Sequence, residues 1–356
     1  MNSLERFETA VKLNTPDMPP ILYQQFGAGE WILRDLGLTM RQAYTSPQNI
    51  AECQIRAWKV YGHDNLMAGW GCASIEAHAL GSVWNWEKKD FYYPKIIMYR
   101  VNEPEDLEDL DVPDPFKDSM MATCIEALKI MMKKYGDKIA VLGFVNAPVL
   151  AAEELRGCDK LFADMVLNPD LYNRILDITT RTCIEYVKAM IKEADVHGVF
   201  IEDGSLGGDQ LSREQAIKFN LKYTERLVKE IKKCNKWVII HNCSKEPYLD
   251  LHASLTPNIV DYWVKANVNV TEVKEILKNI CISTGVDSSR DLVLSKPEGI
   301  EKSVIGAFKE YGNGGYMIGA GCEIPFSAPI ENVWAIKRGA IKCGKINLRK
   351  NWLMKK

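Results

Sequence analysis

Residues 237–250 read WVIIHNCSKEPYLD. Trp237 to His241 suit a buried strand, and the chain then passes without a break into a polar stretch. A histidine and a cysteine stand two apart where strand gives way to loop. Either the pair is packing and coincidence, or imidazole and thiolate are aimed together at one partner, for which a metal ion is the natural candidate.

The same transition repeats on both sides of this segment. KIAVLGF (138–144) is a continuous apolar run ended by Gly and Asn, and HGVFIEDGS (197–205) is a strand ending in Glu202 and Asp203. IVDYWV (259–264), ICISTGV (280–286) and GYMIGAG (315–321) continue the series. Between them lie helical patterns over 158–194 (broken at Asn168-Pro169), 212–234, 246–254, 270–279 and 300–312, with a last helix near 328–342. The 212–234 segment is strongly amphipathic; Ser212 suits an N-cap and lysines gather near the end. Strand–helix alternation of this length implies parallel strands with crossover helices. Without a dinucleotide GxGxxG, it predicts a (β/α)8 TIM barrel rather than an open doubly wound sheet. One barrel domain over 1–356 is expected. Its N-terminal region to about residue 118 is irregular, with a helix and strand in 52–71, a hairpin or excursion in 79–101, and an acidic, proline-bearing connection over 102–118.

Bulk properties exclude several classes of function. The 356 residues carry a net charge of −2 and are 47% hydrophobic, with no long basic run, so nothing favours a nucleic-acid partner. No stretch reaches the roughly 20 apolar residues of a membrane span. The N-terminal segment lacks an apolar core of signal-peptide length. A cytoplasmic protein is expected. Ten cysteines in so long a chain do not make a disulfide scaffold. Cys124, Cys183 and Cys281 fit as small buried residues.

In a TIM barrel, reactive groups come from the C-terminal ends of the strands and the loops that follow. Here those ends carry Asn146, Glu202 and Asp203, His241 and Cys243, Asp287, and finally Cys322 and Glu323. His241, Cys243 and Cys322 are the residue types of a three-ligand Zn²⁺ set with one exchangeable position. The long separation of Cys322 from the HxC pair argues against a zinc ribbon or finger. Spacing alone leaves two possibilities open: such a set, or one structural histidine and two unrelated cysteines. Zinc that binds a thiol lowers its pKa and delivers it as thiolate at neutral pH. Hydrolysis by zinc-bound hydroxide is the rival, and two sulfur ligands make it the weaker one.

The segments VLGFVNAPVLAAEELRG, IEDGSLGGDQLSREQ, IIHNCSK, ISTGVDSSRDL and GGYMIGAGCEIPFSAPIENVWAI resemble the uroporphyrinogen decarboxylase superfamily. The match runs from about residue 120 to 342, with SIEAHALGS (74–82) as a weaker counterpart near the N-terminus. The resemblance implies a (β/α)8 barrel. The arginine-bearing substrate motif of the decarboxylases is absent, with LYQQFGAGEW in its place, and their late GHG-type histidine is replaced by the Cys322 segment. What remains resembles the zinc methyltransferases that move a methyl group between a corrinoid protein and a thiol such as coenzyme M. Their motif maps onto His241, Cys243 and Cys322 as metal ligands. On the same basis Glu76 is the first candidate for a fourth ligand or a group poised beside the zinc. Asp203 and Asp287, at strand ends, are candidates for hydrogen-bond acceptors or substrate contacts.

The expected cofactors are therefore Zn²⁺ and a methylcobamide carried by a partner protein, since none of the five histidines stands in a DxHxxG motif. The expected partners are that corrinoid protein and a small thiol. Two alternatives stand beside this: a metal-free decarboxylase-like lyase, and a corrinoid-protein binding subunit without turnover. His63, His78, His197 and His252 read as structural. Trp70, Trp84 and Trp86 would suit a corrinoid or partner face, or simple packing. The glycines of GSLGGDQ (204–210) would allow close approach of a ligand to the backbone.

Overall fold

The computed structural model describes residues 1–24, 29–69, 73–86, 93–312 and 314–353. Among them, β1 (Ile21–Leu22), β2 (Asn65–Ala68) and a hairpin of β3 (Val83–Asn85) and β4 (Lys95–Met98) come from the first third. The remaining strands are β5 (Ala140–Asn146), β6 (Gly198–Glu202), β7 (Trp237–Asn242), β8 (Ile259–Tyr262), β9 (Cys281–Gly285) and β10 (Tyr316–Gly319). All but the hairpin strands form one eight-stranded sheet in the order β1-β10-β9-β8-β7-β6-β5-β2. Every neighbouring pair in it is parallel. This is the predicted barrel, and β3 and β4 form the predicted excursion from it.

The two-residue period of the strands sorts their side chains. Leu142, Phe144, Phe200, Ile239, Ile259, Cys281 and Met317 share one apolar cluster with Phe7 and Ala10 of the helix Ser3–Val11. Their neighbours Val141, Val199, Val238, Ile240, Val260, Ile282 and Ile318 join the larger cluster formed with the surrounding helices. The first set fills the barrel lumen. The N-terminal helix closes it at the end where the strands begin: Phe7 stacks on Trp237 at 5.4 Å, and the Leu4 amide donates to the Lys138 carbonyl at 2.8 Å.

The sheet's two outer strands meet through few rungs. The Asp64 amide donates to the Ile21 carbonyl at 2.9 Å, and the Ile21 amide donates to Asp64 Oδ2, also at 2.9 Å. Asn65 continues the seam with its carboxamide, accepting from the Tyr23 amide and donating to the Tyr23 carbonyl, each at 2.8 Å. Arg6 Nη1 donates to Asp64 Oδ1 at 2.7 Å and ties the N-terminal helix to the seam.

Two predicted helices are subdivided. The 158–194 segment breaks into Cys158–Leu167 and Pro169–Ala194, with the Asn168 side chain accepting from the Leu171 amide. The 212–234 segment is Arg213–Gln215, a π-helical turn Ala216–Asn220, and Leu221–Lys233. Ser212 caps its start, accepting from the Gln215 amide. At the wide turn the buried Asn220 carboxamide donates to Ser205 Oγ at 2.7 Å, a tertiary bond that the helical period does not announce. No helix among the described residues is long and apolar enough to cross a membrane.

Candidate metal centre

Strand register builds the site. Glu202 is the Cα partner of His241, His241 of Asp261, and Asp261 of Ser283. Each stands two residues beyond an apolar lumen residue (Phe200, Ile239, Ile259 and Cys281), so each points into the lumen one layer above the packed core. A polar layer thus caps an apolar one at the C-terminal ends of the strands, where barrel chemistry is sited.

His241 is fully buried, and its Nδ1 lies 2.5 Å from Asp261 Oδ2. Its Nε2 has no hydrogen-bond partner and stands 3.6 Å from Glu202 Oε1. Cys243 Sγ donates to the same Glu202 oxygen at 3.8 Å. Cys322, from the loop after β10, completes the group: one ligand atom each from His241, Cys243 and Cys322 lies within 4.8 Å of the others. The β7 end and the β10 loop, far apart in sequence, are thereby brought to one point.

The donor set fits a metal ion on this structure's own terms. A buried imidazole nitrogen without a partner is costly unless something not yet bound satisfies it. Hydrogen bonding with Cys322, then desolvation, pushes the Cys243 thiol up to about 12, so without a cation it stays protonated. A bound cation would displace the protons of such thiols and of the imidazole together. Burial first, with Cys243 and Asp261 adding, raises Glu202 to about 8, although His241 and the Gln24 carboxamide that donates to it act the other way. Burial opposes a charge on His241, but Glu202 and Asp261 outweigh it and hold its pKa well above the usual histidine range. A carboxylate on Nδ1 is the arrangement that fixes a ligand histidine's tautomer and ring orientation.

The other predicted residues are not among the three donors and are held by hydrogen bonds of their own. Glu76 is buried in the helix Ile75–Ala79, accepting from Ser74 Oγ at 2.8 Å and from the Asn146 amide and carboxamide, both at 3.2 Å. It is not in the three-donor group; the carboxylate beside that group is Glu202. Asp203 is fully buried, accepting from Ser205 Oγ at 2.9 Å and Thr224 Oγ1 at 3.1 Å. Burial raises it to about 6 against those bonds. Asp287 accepts from Trp263 Nε1 at 3.1 Å and Ser289 Oγ at 2.7 Å.

Three of the four histidines outside the group have packing or hydrogen-bond partners, and the fourth, His252, is buried in the helix Leu249–Ser254. His78 Nδ1 lies 2.9 Å from the Ser82 carbonyl with its ring stacked on Trp84, and His197 Nδ1 accepts from the Val141 amide. His63 stacks on Tyr23. Trp84 and Trp86 pack against the core, while Trp70 lies outside the described residues. In the 204–210 loop, Gly207 and Gly208 admit the segment after β7 rather than opening a cradle. A Cβ on Gly207 would fall 2.2 Å from Ser244 Oγ, and the Gly208 amide donates to the Glu246 carbonyl at 2.9 Å.

Asp261 is hidden in the sequence because IVDYWV reads as one apolar strand. Lining up the strand ends FIE, IIH, IVD and CIS by their last lumen residue would have placed it beside His241.

A family model described as Uroporphyrinogen decarboxylase (URO-D) matches residues 2–338. The methylcobamide:CoM methyltransferase MtaA of Methanosarcina barkeri is 24% identical over 307 residues, which are 86% of this chain and 87% of that protein. The uroporphyrinogen decarboxylase of Myxococcus xanthus is 31% identical over a shorter stretch of 166 residues, 45% of this chain and 46% of the relative. Among solved structures, a methyltransferase from Methanosarcina mazei superposes with a TM-score of 0.87 over 96% of this chain and 99% of that one. At 21% identity this establishes the shared fold. Similarity along most of the chain's length runs to methyltransferases and to decarboxylases alike: the uroporphyrinogen decarboxylase of Geotalea daltonii is 25% identical over 251 residues, 68% of this chain and 71% of that protein.

Proposed function

The chain belongs to the uroporphyrinogen decarboxylase family, and from that premise we propose that it is a zinc-dependent methyltransferase moving a methyl group between a corrinoid protein and a small thiol. The observation that carries the proposal is the convergence of His241, Cys243 and Cys322 at the barrel mouth, with the buried His241 Nε2 left for an ion. Zinc held by these three residues supplies the Lewis acidity that delivers a thiol as thiolate.

The chain's own residues prepare the reaction. Asp261 orients His241, and Glu202 is the carboxylate next to the donor set that would be available to a bound ion as a further ligand. Gln24 steadies Glu202. Direct displacement at a methyl carbon asks the protein mainly to align the two partners. A cavity of about 350 Å³ over Cys243 and Cys322 offers the space for the thiol. Its described lining holds no Lys or Arg, so the carboxylates of a porphyrinogen would find no cation there.

The test is the metal content of purified protein by elemental mass spectrometry, wild type beside Cys322→Ala. The expected result is about one zinc per wild-type chain, lost in the variant. Carefully prepared wild type without zinc would overturn the proposal.

A further inference from the structure

The cavity above the three donors has a chemical bias of its own. Besides Cys243 and Cys322 its polar side chains are those of Gln24, Glu202, Asp209, Gln210, Ser244 and Glu323. Its described charged side chains are thus all acidic. Two of its polar groups lack partners: Gln24 Oε1 and Ser244 Oγ, on side chains of residues each 5% exposed. Gln24 already uses its amide nitrogen on Glu202, so the atom left over is an acceptor. Asp209 adds carboxylate oxygens at the rim, one of them accepting from the Lys245 amide at 3.0 Å. The cavity is rich in hydrogen-bond acceptors, and its described lining has acidic side chains but no Lys or Arg.

An anionic tail placed here would face Asp209 and the Gln24 carbonyl with no described cation to receive it. An ammonium group satisfies both, because it donates and is positively charged. We infer that the small thiol this site takes carries an ammonium group at its far end rather than a sulfonate or carboxylate. This rests on the methyl-transfer function proposed above and narrows its acceptor to the class of aminothiols. The sulfur belongs near His241, Cys243 and Cys322, and the ammonium group toward Gln24 and Asp209.

Three thiols of one carbon skeleton separate the possibilities: 2-aminoethanethiol, 2-mercaptoethanol and 2-mercaptoethanesulfonate, with cationic, neutral and anionic ends. Full-length protein is loaded with Co²⁺ in place of zinc. Each thiol is titrated in while the sulfur-to-cobalt charge-transfer band is followed, which reports binding without turnover. The aminothiol is expected to bind about tenfold or more tightly than the sulfonate, with the neutral thiol between them. Asp209→Asn, which keeps an acceptor for the Lys245 amide, should narrow that gap, as should added salt. Equal affinities, or a preference for the sulfonate, would overturn the inference while leaving thiol methyl transfer intact. If none of the three perturbs a cobalt-loaded site, thiol activation itself fails, and the inference falls with it.

Discussion

Asp261 Oδ2 lies 2.5 Å from His241 Nδ1, so the strand beside β7 holds the imidazole by its far nitrogen and leaves Nε2 on the side of Glu202 and the cysteines. Both residues are buried, and the second Asp261 oxygen has no partner. Orientation of a ligand by such a carboxylate is worth about 10–100-fold in metal affinity. Asp261→Asn is therefore expected to weaken binding of the proposed zinc by that factor, measured by competition with a chromophoric chelator. Unchanged affinity would show that His241 is held by other means.

Gly319 offers an indirect route to the same histidine. A Cβ there would lie 2.5 Å from both Asp261 Oδ1 and Ser283 Oγ, so alanine must displace one of them. Gly319→Ala should lower metal affinity without altering any ligand and cost about 1–3 kcal/mol of stability. Chelator competition and urea unfolding on the same preparation separate the two effects.

The opposite end of the barrel should be independent of the site. Phe7 is fully buried against Trp237 and the lumen residues. Phe7→Ala is expected to destabilise the fold by about 3–5 kcal/mol. Chains that remain folded should keep their full zinc content; loss of zinc from folded protein would contradict the separation of the two ends.

His252 sets a pH dependence. It is fully buried in the helix Leu249–Ser254, and neither ring nitrogen has a partner. Burial, as the largest cause, lowers its pKa from 6.5 to about 4. The unfolded chain therefore binds more protons than the folded one between those values, and stability falls as pH drops from 6.5 towards 4. At pH 5 this group accounts for about 2 kcal/mol of that loss. His252→Leu should remove that share, so the difference in unfolding free energy between pH 7 and pH 5 shrinks by about 2 kcal/mol. An unchanged difference would place the acid sensitivity in other groups.

The strands from Ala140 onward were legible because each is an apolar run longer than its polar flanks, and the barrel follows from their alternation with amphipathic helices. β1 was not: two residues, Ile21 and Leu22, carry no period. The HxC pair and Cys322 were visible as residue types at strand ends. The neighbour relation of Glu202, His241 and Asp261 was not visible, because it depends on register between strands that only the folded sheet fixes. The π-turn at Ala216–Asn220 is likewise a local response to the Asn220–Ser205 bond rather than a property of the helical pattern.

The seam between β1 and β2 has a consequence for amide exchange. At this seam the backbone amides of Ile21 and Tyr23 are held by the side chains of Asp64 and Asn65 rather than by the backbone of the neighbouring strand. Rotation about a side-chain bond releases them without parting two strands, so they should open to solvent deuterium at lower free energy than the lumen-lining strands. Gln24 follows Tyr23 directly and donates to Glu202, so the seam ends one residue short of a direct contact with the carboxylate beside the three donors.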